Sequence, residues 1–500
     1  MITRNPRRRA VVLAATCSLL LAACGSQVPP QEFVNAQGGA GNGNGNGQAL
    51  TSGSATASGG TGGGAANGAT GGTGGGAATG GTGGGAAAGG TGGGSGGGGG
   101  SGSGGGGSSG GGSATKGIKV GSCKGFKNGT GITNSTITIA NASDLSGPVP
   151  GLFKSAQAAV TAYVAYFNSS SSICGRKLKL TSLDSGTSES GDQQAATTAC
   201  GNSFAMVGSM GAFDAGGANT VAGCGIPDLR AAATETARQK SPVSFGANSV
   251  VVNEIPTAPF NYFKSLSKDA YKNAGFVYLN AGASSLNARS FIAGEQRQGF
   301  NFKDKIAIDV TSVPNYNNYV TQLKSDGIKY VQYLGAYQYA QKLKSEMFRQ
   351  NYHPIFVMDP TGYDANYVAT GKAVDDTYVF DAGPLYEEQN RNPQLATYIA
   401  WLGRTSGGVP TFFGTYAWSA AALFTQLAVQ LGGKLTRSSL LSSIKGVHNF
   451  TNTNMVPPQD IAGKHTPKCL SVIQLTNGKW VRKTPYPYTC GTTVNSGVGG

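Results

Sequence analysis

The sequence predicts an α/β fold made of two lobes, each a parallel sheet covered by helices. Three observations carry this. Short apolar runs of strand length alternate with stretches of helical spacing from Ile137 onward. The alternation comes in two successive sets of comparable length. The large aliphatic and aromatic side chains gather after Ile132, so the foldable part is expected over roughly 116–500 and the glycine tract before it is left out of any core. Strand–helix alternation calls for parallel strands buried on both faces. Two sets of this size give two lobes. Ligands of such sheets bind beyond the carboxyl ends of the strands, so the loops after each strand are where function is expected.

In the first set, Thr136-Ile137-Thr138-Ile139-Ala140 is a β run, stopped by Asp144-Leu145-Ser146-Gly147-Pro148. Apolar residues at 159, 160, 163, 164 and 167 have the 3–4 spacing of a helix over 156–167. Lys177 to Leu180 alternates as a strand, and a helix follows over 191–200. Phe204 to Gly208 reads as a buried strand and 215–223 as a helix, with strands at 226–229 and 243–245. In the second set the strands are 275–279, 306–308, 330–334 and 355–358, with helices at 284–298, 316–326 and 338–350 between them. The long apolar helix over 416–431 reads as a core helix of the first lobe. Near the end, Asn477-Gly478 joins 469–475 to 479–482 as a hairpin with the favoured turn dipeptide.

The chain before residue 116 is of another kind. Of the 82 glycines, 41 lie between Gly38 and Gly112, and no charged residue occurs between Glu32 and Lys116. Leu50 is the only large apolar side chain in that glycine tract, too little to offset the entropy of ordering it. Gly-Gly-Thr-Gly-Gly-Gly recurs at 59–64, 71–76, 80–85 and 89–94, but with no strand before and no helix after it is not a phosphate loop. Residues 24–115 read as a flexible tether spanning on the order of 50 Å. Residues 1–23 read as a secretory leader: Arg4, Arg7, Arg8 and Arg9 precede an apolar stretch from Ala10 to Ala23, too short for a mature bilayer span.

Charge and cysteine usage limit the function. The chain has 38 Lys and Arg against 23 Asp and Glu; without the leader's four arginines the balance is 34 against 23. The cations are scattered, with no run of five, so no nucleic acid is expected as partner. In an exported chain the six cysteines Cys123, Cys174, Cys200, Cys224, Cys469 and Cys490 favour three disulfides. Six cysteines allow fifteen pairings; sequence proximity suggests 123–174, 200–224 and 469–490, and the sequence leaves the others open. Zinc is the competing reading, but there is no CxxC and only His465 lies near a cysteine. No metal and no cofactor are expected. Catalysis is disfavoured as well: the three histidines sit in no catalytic motif, the folded part has no Gly-x-Ser-x-Gly elbow, and Gly433-Lys434 lacks the rest of a Walker loop.

Two families are resembled. Leu21-Ala22-Ala23-Cys24-Gly25 resembles the bacterial lipoprotein signal, which implies acylation of Cys24 and a membrane anchor; an ordinary leader is the alternative. Ile137-Thr138-Ile139 with Leu145-Ser146-Gly147-Pro148, Gly175-Arg176-Lys177-Leu178, Phe204-Ala205-Met206-Val207-Gly208-Ser209 and Ala231-Ala232-Ala233-Thr234 are similar, in order and spacing, to motifs of the type I periplasmic solute-binding proteins of ABC importers, the branched-chain amino-acid and amide receptors. The resemblance covers about 132–480. It implies two Rossmann-like lobes joined by a three-crossover hinge, with 116–250 and 380–449 in the first lobe and 251–379 and 450–490 in the second.

The resemblance also implies a ligand set. Ser146, Ser209, Phe213 and Thr234 come from the first lobe, and Ser284, Tyr337, Asp359 and Thr361 from the second. Thr234 falls where the family places a ligand-binding threonine, although a helix-capping hydroxyl is its alternative role. Two departures argue against a plain branched-chain amino acid: Ala212 stands where the family has a hydroxyl for the carboxylate, and Thr361 where it has an acid for the ammonium. The implied partners are a small ligand (an amino acid, amide or other small polar solute) and a membrane permease. Delivery to an ABC importer and ligand sensing for a membrane partner are both compatible with these residues.

Overall fold

The computed structural model describes Ala114 and residues 117–499 apart from Gly407. The expected leader, Cys24 and nearly all of the tether lie outside the described residues. The first lobe begins β1 (Thr136–Ser143), α1 (Lys154–Ser170), β2 (Lys177–Asp184), α2 (Glu189–Asn202), β3 (Ala205–Val207), α3 (Ala218–Cys224), β4 (Asp228–Arg230), α4 (Thr236–Lys240) and β5 (Ser244–Gly246). The chain then crosses over through β6 (Glu254–Pro256) and builds α5 (Ala258–Leu266), β7 (Ala274–Leu279), α6 (Gly282–Gln296), β8 (Phe302–Ile308), α7 (Tyr316–Ser325), β9 (Tyr330–Leu334), α8 (Tyr337–Arg349), β10 (Ile355–Met358), α9 (Ala365–Val368) and β11 (Thr377–Asp381). It returns for α10 (Pro393–Ser406), α11 (Phe412–Leu431) and α12 (Arg437–Ile444). A last crossing leads to β12 (Cys469–Thr476), β13 (Lys479–Arg482), β14 (Thr489–Cys490) and β15 (Thr493–Asn495).

The first sheet is parallel with order β2-β1-β3-β4-β5, and the second runs β8-β7-β9-β10-β11 in parallel before the antiparallel β12 and β13. Each order reverses beside its first strand, which opens a crevice between the loops after β1 and β3 and another between those after β7 and β9. The hairpin turn is as the sequence predicts, with Asn477 and Gly478 both at positive φ. The three disulfides pair Cys123 with Cys174, Cys200 with Cys224 and Cys469 with Cys490.

Helix α11 is capped by Thr411, whose hydroxyl accepts from Gly414 N, and it is buried along nearly its whole length against α1. An all-round apolar helix has no solvent face to offer, so it sits in the core. The third crossing differs from the expected one near 449. Asn452 donates to the Ser419 hydroxyl and Lys464 to the Gln239 carbonyl, so this segment stays on the first lobe and enters the second sheet only at Cys469. Its turns at Asn452, Thr453 and Asn454, all at positive φ, give no periodic signal in the sequence. The tail beyond the expected limit of 490 adds β15, which pairs antiparallel with β6 of the first crossing.

Candidate functional site

A cavity of about 230 Å³ lies where the strand ends of the two sheets face each other, bounded by residues of both lobes and of two hinge crossings. Its first-lobe wall is aromatic. Phe153 stands immediately before α1, and Phe412, Phe413 and Tyr416 form the first turns of α11. The Phe153 and Phe413 rings meet edge to face with centroids 4.6 Å apart, and Tyr416 donates to Asp381 Oδ1 at 2.8 Å. Burial pushes the Asp381 carboxyl up to about 7, against the pull of that phenol. Leu152, Met210, Val250, Val252, Phe291, Leu334 and Leu470 complete a mainly apolar lining.

Four of the eight residues named from the sequence line this cavity: Thr234, Ser284, Asp359 and Thr361. Thr234 does not cap a helix. Its hydroxyl donates to Gly211 O at 2.6 Å, while its N–H donates to Asp214 Oδ2 at 2.9 Å. Thr361 Oγ1 lies 2.6 Å from both Gly335 O and Asp359 Oδ1. A hydroxyl has one proton, so Thr361 serves Gly335 when Asp359 carries its own proton and Asp359 when it does not. Burial holds the Asp359 carboxyl up to about 7, with the Thr361 hydrogen bond opposing it.

The other four lie elsewhere. Ser209 is fully buried and its hydroxyl accepts from Ala142 N at 3.1 Å, so it completes the β1–β3 edge instead of facing ligand. Ser146 is exposed in a loop held by Asp184, whose Oδ1 accepts from Leu145 N and Ser146 N. Phe213 turns to the opposite lobe. A Cβ placed on Gly282 would stand 3.1 Å from its ring and 2.8 Å from Ala212 O, so the bare glycine lets the lobes touch there. Next to it Ala283 N donates to Ala212 O across the cleft at 3.1 Å. Tyr337 starts α8 and lines a second cavity of about 360 Å³, which shares Leu152, Ala336, Thr361, Phe412 and Phe413 with the first.

A buried charge network supports the Thr234 loop. Asp214 accepts from Thr234 N and Glu235 N and pairs with Arg230, while Arg238 bridges Asp192 and Asp228. Asp228 also meets Arg230 at 3.4 Å. All five side chains are essentially out of solvent. On the other side of the loop, Asp144 accepts from Ala212 N at 2.8 Å and from the Ser185 hydroxyl at 2.6 Å. Burial pushes the Asp144 carboxyl above its ordinary value, while those bonds pull it back. Among the described residues no cluster of three His, Cys, Asp or Glu side chains is arranged to hold a metal, and no helix is long and apolar enough to cross a membrane.

Two parallel sheets whose strand ends share one cavity, joined by three crossings, define a two-lobed solute-binding protein. The chain belongs to the family described as periplasmic binding protein, whose profile matches residues 136–479. This is an extracytoplasmic family of receptors, not of enzymes. No curated relative matches the sequence. Among solved structures, the fold is similar to a fatty acid ABC transporter substrate-binding protein from Thermomonospora curvata, with 17% identity, 73% of this chain and 95% of that chain covered and a TM-score of 0.62. It is also similar to a branched-chain amino acid transporter substrate-binding protein from Streptococcus pneumoniae in complex with isoleucine (14% identity, 70% and 100% covered, TM-score 0.58). A third is an ABC transporter solute-binding protein from R. palustris in complex with benzoate (14% identity, 73% and 99% covered, TM-score 0.59).

Proposed function

We propose that this protein is a lipid-anchored receptor that captures a small solute between its lobes and delivers it to an ABC importer. The observation that carries the reading is the cavity between the strand ends of the two lobes, lined by an aromatic wall and a few hydroxyl, amide and carboxyl groups. Such a lining suits a ligand with an apolar body and a small polar end better than a sugar or a fully polar solute. Relatives reported with fatty acid transport or benzoate are in keeping with this, and both are described as ABC transporter solute-binding proteins. Ligand seated against Thr234 and Ser284, on opposite lobes, favours the closed arrangement by its differential affinity for it. The closed pair of lobe surfaces is then what a permease meets. Anchoring rests on Cys24 in Leu21-Ala22-Ala23-Cys24-Gly25.

The test is a melting screen of the purified chain against alkyl and aryl compounds, amino acids, amides and sugars. A stabilising hit of apolar body, weakened by Thr234→Val and recovered unchanged after incubation, is expected. Stabilisation by sugars alone, or conversion of the bound compound, would overturn the reading. For the anchor, Cys24→Ser is expected to move the protein from the membrane fraction to the soluble one.

A further inference from the structure

We infer that the ligand is elongated and two-ended. One polar end lies in the interlobe cavity, an apolar middle passes between Ala336 and the Phe412–Phe413 turn, and a distal anionic end lies in the outer cavity beside Lys154. This deepens the proposed function and rests on that reading of the inner cavity. The inner cavity of about 230 Å³ and the outer one of about 360 Å³ adjoin, with Leu152, Ala336, Thr361, Phe412 and Phe413 lining both. Four of these five side chains are apolar, and at Ala336 the second lobe contributes only a methyl group to the boundary. Both lobes line the outer cavity too: α1 and the start of α11 on one side, Tyr337, Gln338 and Asn366 on the other. A ligand that fills both cavities is therefore held by both lobes at two places.

The polar groups left without partners lie at the two ends of this path. In the inner cavity the N–H groups of Ala232 and Ala233 and the side chains of Ser284 and Asn287 bond to nothing in the described chain. Asn248, only 7% exposed, lines the same cavity with its Oδ1 buried and unpartnered. Buried polar groups of this kind are costly until a ligand group meets them. In the outer cavity Lys154, the first residue of α1, is exposed. It is the one Lys, Arg or His among the described residues that lines either cavity, and no acid among them pairs with it. Beside it the Gln338 Oε1 is buried without a partner. Helices α1, α8 and α11 all begin at this cavity, and their N-terminal ends add to the preference for negative charge. Asp364 is the outer cavity's one acid, and it is engaged at the start of α9, accepting from Asn366 N at 2.7 Å. Between the two ends the phenyl rings and Leu152 offer a charged group no partner, so the middle of the ligand is apolar.

The experiment is calorimetric titration of the full chain with two series of straight-chain acids, from four to twelve carbons: the monocarboxylates and the α,ω-dicarboxylates of equal length. The expected result is that the second carboxylate brings no gain in the shortest pair and at least a tenfold gain once the chain is long enough to reach Lys154. Lys154→Met is expected to remove that gain. The wild-type series stands without the variant. A dicarboxylate that binds no more tightly than its monocarboxylate at any length would overturn the inference. So would a gain already present at four carbons, or one that survives Lys154→Met. Monocarboxylates that bind without any such gain would leave the apolar inner cavity as the ligand site. If no acid of either series binds the inference falls, and if a sugar binds instead, the reading of the cavity falls with it.

Discussion

Asp359→Asn has a stability effect whose sign is fixed by burial. In the unfolded chain this carboxyl ionises at about 3.8, and in the folded one at about 7. The folded state therefore penalises the ionised form, so stability that is fully present below 3.8 is lost as pH rises to 7. The gap of about three pH units, at about 1.4 kcal/mol each, sets a ceiling of roughly 4 kcal/mol. Asp359 keeps some contact with cavity solvent, which brings the expected cost to on the order of 2 kcal/mol. Asn at this position cannot ionise and its carbonyl still accepts from Thr361. The variant should match the wild type near pH 4 and exceed it by about 2 kcal/mol above pH 7. Asp381 also ionises near 7, but it is present in both proteins and cancels in the difference. The assay is urea unfolding of both chains from pH 4 to 8 without ligand. A difference that stays flat with pH, or one that favours the wild type at pH 8, would refute the buried, unpaired carboxyl.

Gly282→Ala should weaken ligand binding about tenfold, because φ is +48° there and the new methyl meets Phe213 and Ala212 O across the cleft; calorimetry with a hit from the melting screen measures it. Arg238→Met leaves Asp192 and Asp228 without their shared cation and should cost about 3–5 kcal/mol in urea unfolding, a small effect arguing against the network. Cys490→Ser opens a bridge between residues 21 apart in sequence, and the same measurement should show a loss of roughly 3 kcal/mol.

Much of the fold is legible in the sequence because the strands are apolar runs and the helices keep their spacing. Of the residues that the family resemblance implies, half line the cavity, Thr234, Ser284, Asp359 and Thr361, and all four follow the ends of parallel strands, where the rule for such sheets places the cleft. The rule names a loop, however, and not the direction of a side chain. Ser209 lies in the loop after β3 yet turns back to serve Ala142 N, and Tyr337 sits one residue past Ala336, enough to turn it into the neighbouring cavity. Phe213 illustrates a different gap, since its contact with Gly282 joins two lobes and no local pattern reports it. The aromatic wall is the largest omission. Phe153 and Phe412-Phe413 mark the starts of two helices far apart in sequence, where periodicity says core or surface but not cavity. The occupied amides of Ala212 and Thr234 escape sequence reading too, because Asp144 and Asp214 have no signature apart from where the fold buries them.

The central claim is that ligand is gripped between two lobes that close on it. Val313 and Val409, 84% and 56% exposed, lie on the second and first lobes and can carry spin labels without disturbing the core. The distance between them, measured by pulsed dipolar spectroscopy, should shorten and its distribution narrow when the hit from the melting screen saturates the protein. An unchanged distribution at saturation would contradict the account.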